Sequence, residues 1–177
     1  MMQEAVILVN ENDEQIGMMP KLEAHEKGVL HRAFSVFLFN TQGEMLLQQR
    51  AFGKYHSEGL WSNTCCSHPK VGEDTQSAAH RRLMEEMGLE TDLQFLYSFL
   101  YKAELDKGLT EHELDHVFIG ISDQKPVINT EEVADWKYRS IDELFRDLES
   151  HPEHYSVWFK MEVRNVLDKF NESKQKK

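Results

Sequence analysis

The strongest constraint on the fold is the block of charged and apolar residues from Glu73 to Leu89. Asp74 or Thr75 can cap the start of a helix by offering a side-chain oxygen to its orphan N–H groups. Gly88 suits the position just past its end, where a left-handed backbone is needed. Between them Ala78, Ala79, Leu83 and Met87 recur at helical spacing and form an apolar stripe. Arg81 and Glu85 lie four apart and share a face, as do Arg82 and Glu86. Taken alone, these are surface ion pairs worth ~0.3–0.5 kcal/mol each. Residues 51–72, just before this helix, show no sustained periodicity. A loop of that length in a compact domain tends to be functional.

The remaining chain reads as mixed strands and helices. Val6–Val9 forms a strand turned by Asn10–Asp13, and Lys21–Gly28 is a polar helix or loop carrying His25. His31–Phe39 is a buried strand, Asn40–Gly43 a turn, and Glu44–Arg50 a second strand. Leu93–Ala103 and Glu113–Ile121 are further strands, and Glu131–Tyr138 leads into another. Ile141–Leu148 is a short helix and Ser156–Phe170 an amphipathic one. Without regular βα alternation, the expected class is α/β of the α+β kind: an α/β/α sandwich around a mixed sheet. The 177 residues suit a single domain, residues 1–170, followed by a polar, frayed tail, 171–177.

The net charge of -11 argues against binding nucleic acid, which needs a broad basic face. It permits a small anionic ligand if Lys21, Arg50, Lys54 and Arg82 converge in one cleft. No apolar run reaches the ~20 residues that span a bilayer, so no membrane is expected. The start of the chain lacks the basic region of a signal peptide, and two adjacent cysteines cannot make an ordinary scaffold disulfide. Both point to a reducing, cytoplasmic setting.

The chemistry-bearing residues cluster in a few short segments. Cys66 precedes His68 by two in the run Asn63-Thr-Cys-Cys-Ser-His-Pro69, and one of two adjacent cysteines must point away from the other. A reactive thiol needs a cationic or metal-rich setting, which His68 and the nearby helix N-terminus could supply. Glu111 and Glu113 alternate with His112, so in a strand they share a face. Two acids there are costly unless solvated or metal-bound. With His25, His31 and His68 they would make a credible Mn²⁺ or Zn²⁺ site, although a lone histidine is usually bland. His56, His80, His112, His116, His151 and His154 are read as bland. Glu86 offers hard oxygen to Mg²⁺, and Arg82 can fork onto phosphate oxygens. Trp61 and Trp158 are core residues unless one faces a pocket, where its ring could stabilise a carbocation. Tyr101 is a packed sheet tyrosine or a phenolic proton donor.

The spacing Ser67-x5-Glu73-x7-Arg81-Arg82-Leu83-x-Glu85-Glu86-x-Gly88-Leu89 resembles the Nudix signature with two departures. Serine stands for its first glycine, and Arg82 for a metal-binding glutamate. Losing that carboxylate should weaken the multi-metal clusters that activate water for phosphate hydrolysis. Together with Lys21-x3-His25, His31-x2-Phe-Ser35, Gln49-Arg50, Gly59-x-Trp-Ser-Asn63, Cys66-Ser-His-Pro69, Gly72-Glu73, Tyr101, Glu111-x-Glu113 and Trp158, the chain resembles the type I isopentenyl-diphosphate isomerases, a Nudix-fold family.

That resemblance implies an isomerase of isoprenoid biosynthesis. It would interconvert isopentenyl and dimethylallyl diphosphate by protonation at C4 and deprotonation at C2 through a carbocation. It implies Cys66 and Glu113 as an acid/base pair on opposite faces of the substrate, Tyr101 in the proton relay and Trp158 beside the cation. It implies His25, His31, His68, Glu111 and Glu113 as ligands of one Mn²⁺ or Zn²⁺. Glu86 and the Cys66 carbonyl would hold Mg²⁺, and Lys21, Arg50, Lys54 and Arg82 would clamp the diphosphate. The partner is then a small diphosphate, and the chain a monomer or weak homodimer. The rival readings are a Nudix hydrolase of a nucleoside diphosphate derivative, which needs a glutamate at Arg82, and a sensing domain, which has no use for Cys66.

Overall fold

The computed structural model describes residues 4–175. Its organising element is β3 (His31–Phe39), nine residues of which all but Arg32 are buried. A strand covered on both faces reads as a continuous apolar run, which is why this segment was legible in the sequence. Along one edge it pairs in parallel with β8 (Thr110–Ile121), from His31 opposite Glu113 to Phe39 opposite Ile121. Its other edge is shared in turn by β1 (Ala5–Val9) at His31, β6 (Cys65–Ser67) at residues 34–36, and β4 (Met45–Arg50) at Phe39. β7 (Gln94–Glu104) extends the sheet beyond β8, while β9 (Val133–Arg139) and β5 (Trp61–Ser62) flank β4. The nine strands among the described residues form one mixed sheet.

Alternation along β3 divides the core. Phe34, Val36 and Leu38 meet Ala78, Ala79, Leu83 and Met87 of α2 (Thr75–Met87). Phe37 and Phe39 meet Leu144 of α3 (Ile141–Ser150) and Phe159, Val163 and Val166 of α4 (Val157–Gln175). The result is the expected α/β/α sandwich. The cap of α2 is Asp74, whose side chain accepts from the Ser77 N–H, and Gly88 takes the left-handed conformation at φ 64°.

Three differences from the sequence reading matter. β2 (Gln15–Pro20), which pairs with β1 at the sheet edge, was not foreseen; its largely exposed Gln-Ile-Gly-Met-Met-Pro has no alternation to reveal it. α4 runs past Phe170 to Gln175, so the start of the supposed tail is helical. Residues 61–67, read as loop, hold β5 and β6. The β6 pairing also explains the serine at the signature's first glycine. Ser67 lies opposite Phe34 in the ladder and is absent from the positive-φ residues, so no glycine freedom is needed there.

Candidate active site

The register of β6 on β3 sorts the two cysteines. Cys65 lies opposite Val36 and therefore faces α2; Cys66 lies opposite Ser35 and faces the other way. Cys65 is fully buried in the α2 core and its thiol donates to Glu86 Oε2 at 3.0 Å. Cys66 looks onto a cavity of about 70 Å³ that it shares with Tyr101, Glu111, Glu113 and Trp158. Burial pushes the Cys66 thiol up, with Arg50 opposing and Glu86, Glu111 and Glu113 reinforcing the rise. The expected help from His68 and the helix N-terminus does not materialise. Burial lowers the His68 pKa to about 4, leaving it neutral, and Asp74 caps the helix.

β8 presents Glu111, Glu113 and Asp115 on one face, as strand alternation requires. Tyr101 lies opposite Glu113 on β7 and its hydroxyl donates to Glu113 Oε1. The other carboxylate oxygen, Oε2, lies 2.9 Å from His68 Nε2 and 3.4 Å from His31 Nε2. His31 Nε2 and His68 Nε2 are 3.2 Å apart. His25 joins them because α1 (Lys21–Lys27) ends at Gly28 with φ 66°, turning the chain back so that the His25 and His31 rings lie 5.1 Å apart. His25 Nε2 is 3.5 Å from Glu111 Oε1.

The tautomers are set by the backbone. His25 Nδ1–H donates to the Lys21 carbonyl at 2.7 Å, and His31 Nδ1–H to the Val29 carbonyl at 2.9 Å. In the neutral rings both Nε2 lone pairs then point into the cluster. Among the described residues, His25 Nε2 and Glu111 Oε2 are buried without a hydrogen-bond partner. Buried polar atoms left unpaired are costly, so converging lone pairs of this kind call for a cation. The overlapping triads His25–His31–His68 and His68–Glu111–Glu113 keep their donor atoms within 4.8 Å of one another. Mixed imidazole and carboxylate donors suit a divalent transition ion. Burial and the Glu113 charge raise Glu111 to about 7. Burial would also raise Glu113, but its contacts with the His31 and His68 imidazoles overcome it and hold its pKa well below the usual carboxylate range. Burial disfavours charge on His31, and Glu113 more than offsets that, raising its pKa.

All four expected cations reach the same cavity, each already engaged. Lys21 pairs with Glu4 at 3.0 Å, and Lys54 with Glu132. The Arg50 guanidinium lies 5.1 Å from the Trp158 ring centre and donates to the Ser57 and His56 carbonyls, each at 3.1 Å. Arg82 Nη2 is 3.3 Å from Glu86 and 3.5 Å from Glu132, while its Nε is buried without a partner. Glu86 is 4% exposed, and burial raises its pKa against the pull of Arg82. A buried carboxylate of raised pKa gains from a bound cation, so the residues also fit a hard divalent ion.

A NUDIX domain family model matches residues 29–160. An isopentenyl-diphosphate Delta-isomerase of Pectobacterium atrosepticum is 52% identical over 163 residues, 92% of this chain and 91% of that protein. A protein of Aromatoleum aromaticum named isopentenyl-diphosphate Delta-isomerase 2 is 50% identical over 89% of this chain and 83% of its own length. The chain belongs to the isopentenyl-diphosphate Delta-isomerase family, on a Nudix fold. A solved structure from Deinococcus radiodurans shares that fold, with a TM-score of 0.69 at 21% identity over 84% of this chain and 90% of the other.

For a member of this isomerase family, the site holds more than the sequence revealed. His56, read as bland, is buried beside His25, with burial and Arg50 lowering its pKa to about 2. Tyr55 packs on the His25 and His56 rings, and nothing in its local pattern marks it. Glu4 and Glu132 reach the cavity from distant segments. Behind Glu113, Ser35 donates to Asp115 at 2.7 Å with Glu162 Oε2 3.4 Å away, all three buried. Asp115 was findable, because the alternation that singles out Glu111 and Glu113 continues to it. Trp61 does not line the cavity; Lys137 stands 3.9 Å from its ring centre.

Proposed function

We propose that this protein interconverts isopentenyl diphosphate and dimethylallyl diphosphate by proton addition at C4 and proton removal at C2. The observation that carries the reading is the sharing of one narrow cavity by Cys66, the Tyr101–Glu113 pair and Trp158, with four cations around it. An unactivated alkene is a weak base, so its protonation needs a strong acid in a dry site. Glu113, hydrogen-bonded to the Tyr101 hydroxyl, is in this reading the route by which a proton reaches C4. The tertiary cation then lies against the Trp158 ring, whose face attracts positive charge. Cys66, on the strand across β3 from β8, takes the proton from C2.

Lys21, Arg50, Lys54 and Arg82 hold and orient the diphosphate. His25, His31, His68, Glu111 and Glu113 would hold Mn²⁺ or Zn²⁺, and Glu86 with the Cys66 carbonyl would hold Mg²⁺. When bound, these ions supply positive charge that sharpens the acidity of the site and balances the carboxylates around Cys66. Hydrolysis is disfavoured because Arg82 occupies the place of a metal-binding glutamate and already pairs with Glu86.

The test is incubation of the metal-replete protein with isopentenyl diphosphate and Mg²⁺. The expected result is an acid-labile allylic diphosphate without free phosphate. Phosphate release, or unchanged substrate, would refute the proposal. Among the described residues, no helix is long and apolar enough to cross a membrane.

A further inference from the structure

A cavity built to hold a diphosphate carries, at its mouth, a carboxylate that the proposed reaction does not use. Glu132 ion-pairs with Lys54, and its Oε2 lies 3.5 Å from Arg82 Nη2. The same Arg82 nitrogen is 3.3 Å from Glu86. Glu132 therefore sits on two of the cations expected to meet phosphate oxygens, beside the carboxylate expected to meet Mg²⁺.

Its placement is fixed by the backbone. The Glu132 N–H donates to the Asn129 carbonyl at 2.9 Å, and Asn129 N–H donates to the Glu86 carbonyl at 3.0 Å. The Glu132 carbonyl accepts from the Ala51 N–H at 3.1 Å. These bonds tie the segment before β9 both to α2, which bears Arg82 and Glu86, and to the loop that bears Lys54. The backbone that bears the carboxylate is thereby held beside both cations. Counted with the other charged groups of the cavity wall, the four cations face five carboxylates: Glu4, Glu86, Glu111, Glu113 and Glu132. A bare diphosphate approaching Lys54 and Arg82 meets the Glu132 charge. The same diphosphate carrying a divalent ion brings positive charge that Glu132 and Glu86 both attract.

We propose that Glu132 is a specificity-determining residue that makes diphosphate binding conditional on Mg²⁺, shielding Lys54 and Arg82 from the metal-free anion and admitting its magnesium complex. The inference rests on the proposed diphosphate clamp. It is distinct from a strut role, in which Glu132 merely holds Lys54 and Arg82 in position. Selectivity then comes from penalising the wrong ligand rather than from tightening the right one.

Calorimetric binding of inorganic pyrophosphate separates the two roles. Full-length protein carrying its transition metal is titrated with and without added Mg²⁺, as wild type, Glu132→Gln, Glu132→Asp and Glu132→Ala. Removing the charge should raise metal-free affinity by on the order of tenfold, shrinking the Mg²⁺ advantage by a similar factor. Glu132→Asp should keep the wild-type advantage. Glu132→Ala repeats the test should the glutamine variant fold poorly. Loss of affinity in both conditions, in the same proportion, would show a strut and overturn the inference. A wild type that binds pyrophosphate with Mg²⁺ while Glu132→Gln leaves the ratio unchanged would overturn this inference alone. A wild type that binds no pyrophosphate even with Mg²⁺ would overturn the clamp as well.

Discussion

Cys65 and Cys66 are adjacent in the chain yet face opposite layers, so replacing each by alanine should damage different properties. Cys65 is fully buried and its thiol donates to Glu86 Oε2 at 3.0 Å. Cys65→Ala leaves that buried acceptor short of a donor, at ~1–3 kcal/mol. The lost sulfur adds about 1 kcal/mol of transfer and cavity cost. The sum, ~2–4 kcal/mol, corresponds to a fall in Tm of about 5–15 °C for a domain of this size. Cys66 lines the cavity and packs against Tyr101 and Trp158 without filling the α2 core. Cys66→Ala should shift Tm by no more than about 3 °C, since ~1 kcal/mol of packing is at stake. It removes the group proposed to take the C2 proton, so kcat should fall by ~10²–10⁴-fold. Cys65→Ala should retain most turnover at saturating Mg²⁺ below its Tm. Calorimetric melts and an allylic-product assay on both variants decide the matter. Equal loss of turnover in the two, or early melting of Cys66→Ala alone, would refute the division.

Three further outcomes are expected. Glu113→Gln should lower activity and bound transition metal together, as measured by elemental analysis of protein purified without chelator; full metal occupancy in the variant would remove Glu113 from the ligand set. Divalent affinity should climb as pH rises toward 7, because Glu111, raised to about 7 by burial and Glu113, and His31, also raised, must lose their protons to bind an ion. The slope should be ~10-fold per pH unit for each proton displaced, flattening once both groups have lost their protons, and titrations in buffers of different ionisation enthalpy would count those protons. Trp158→Phe should keep a larger share of kcat than Trp158→Leu, since a smaller ring still offers a π face; a loss of ~1–2 kcal/mol separating them in kcat fits a desolvated cation–π contact, and equal rates would not.

The sequence made the framework of the site legible because its residues sit where backbone periodicity is strict. The α2 pattern placed Arg82 and Glu86, and strand alternation placed Glu111 beside Glu113. The sorting of the two cysteines was not legible, because it depends on a three-residue strand whose pairing with β3 is a tertiary contact. Glu132 and Glu4 were invisible for a related reason. Each is an ordinary exposed-type acid in its local segment, and only the folded chain brings it to Lys54 or Lys21. His56 is not legible in the sequence because a lone histidine carries no periodic signal, although burial beside His25 makes it part of the cluster. The Asp115–Glu162–Ser35 group joins residues from three elements, and only its Asp115 member lies on the alternation that marks Glu111 and Glu113.

In the proposed reaction two different groups, one on each side of a five-carbon unit, handle two different protons. Turnover of isopentenyl diphosphate by the metal-replete protein in deuterium oxide tests it directly, with early product examined by mass and NMR. Deuterium is expected in the methyl group formed from C4, drawn from the exchangeable Glu113–Tyr101 pair, with loss of a proton from C2. Product formed without solvent deuterium would mean that one group carries a single proton across, which rules out a separate acid and base.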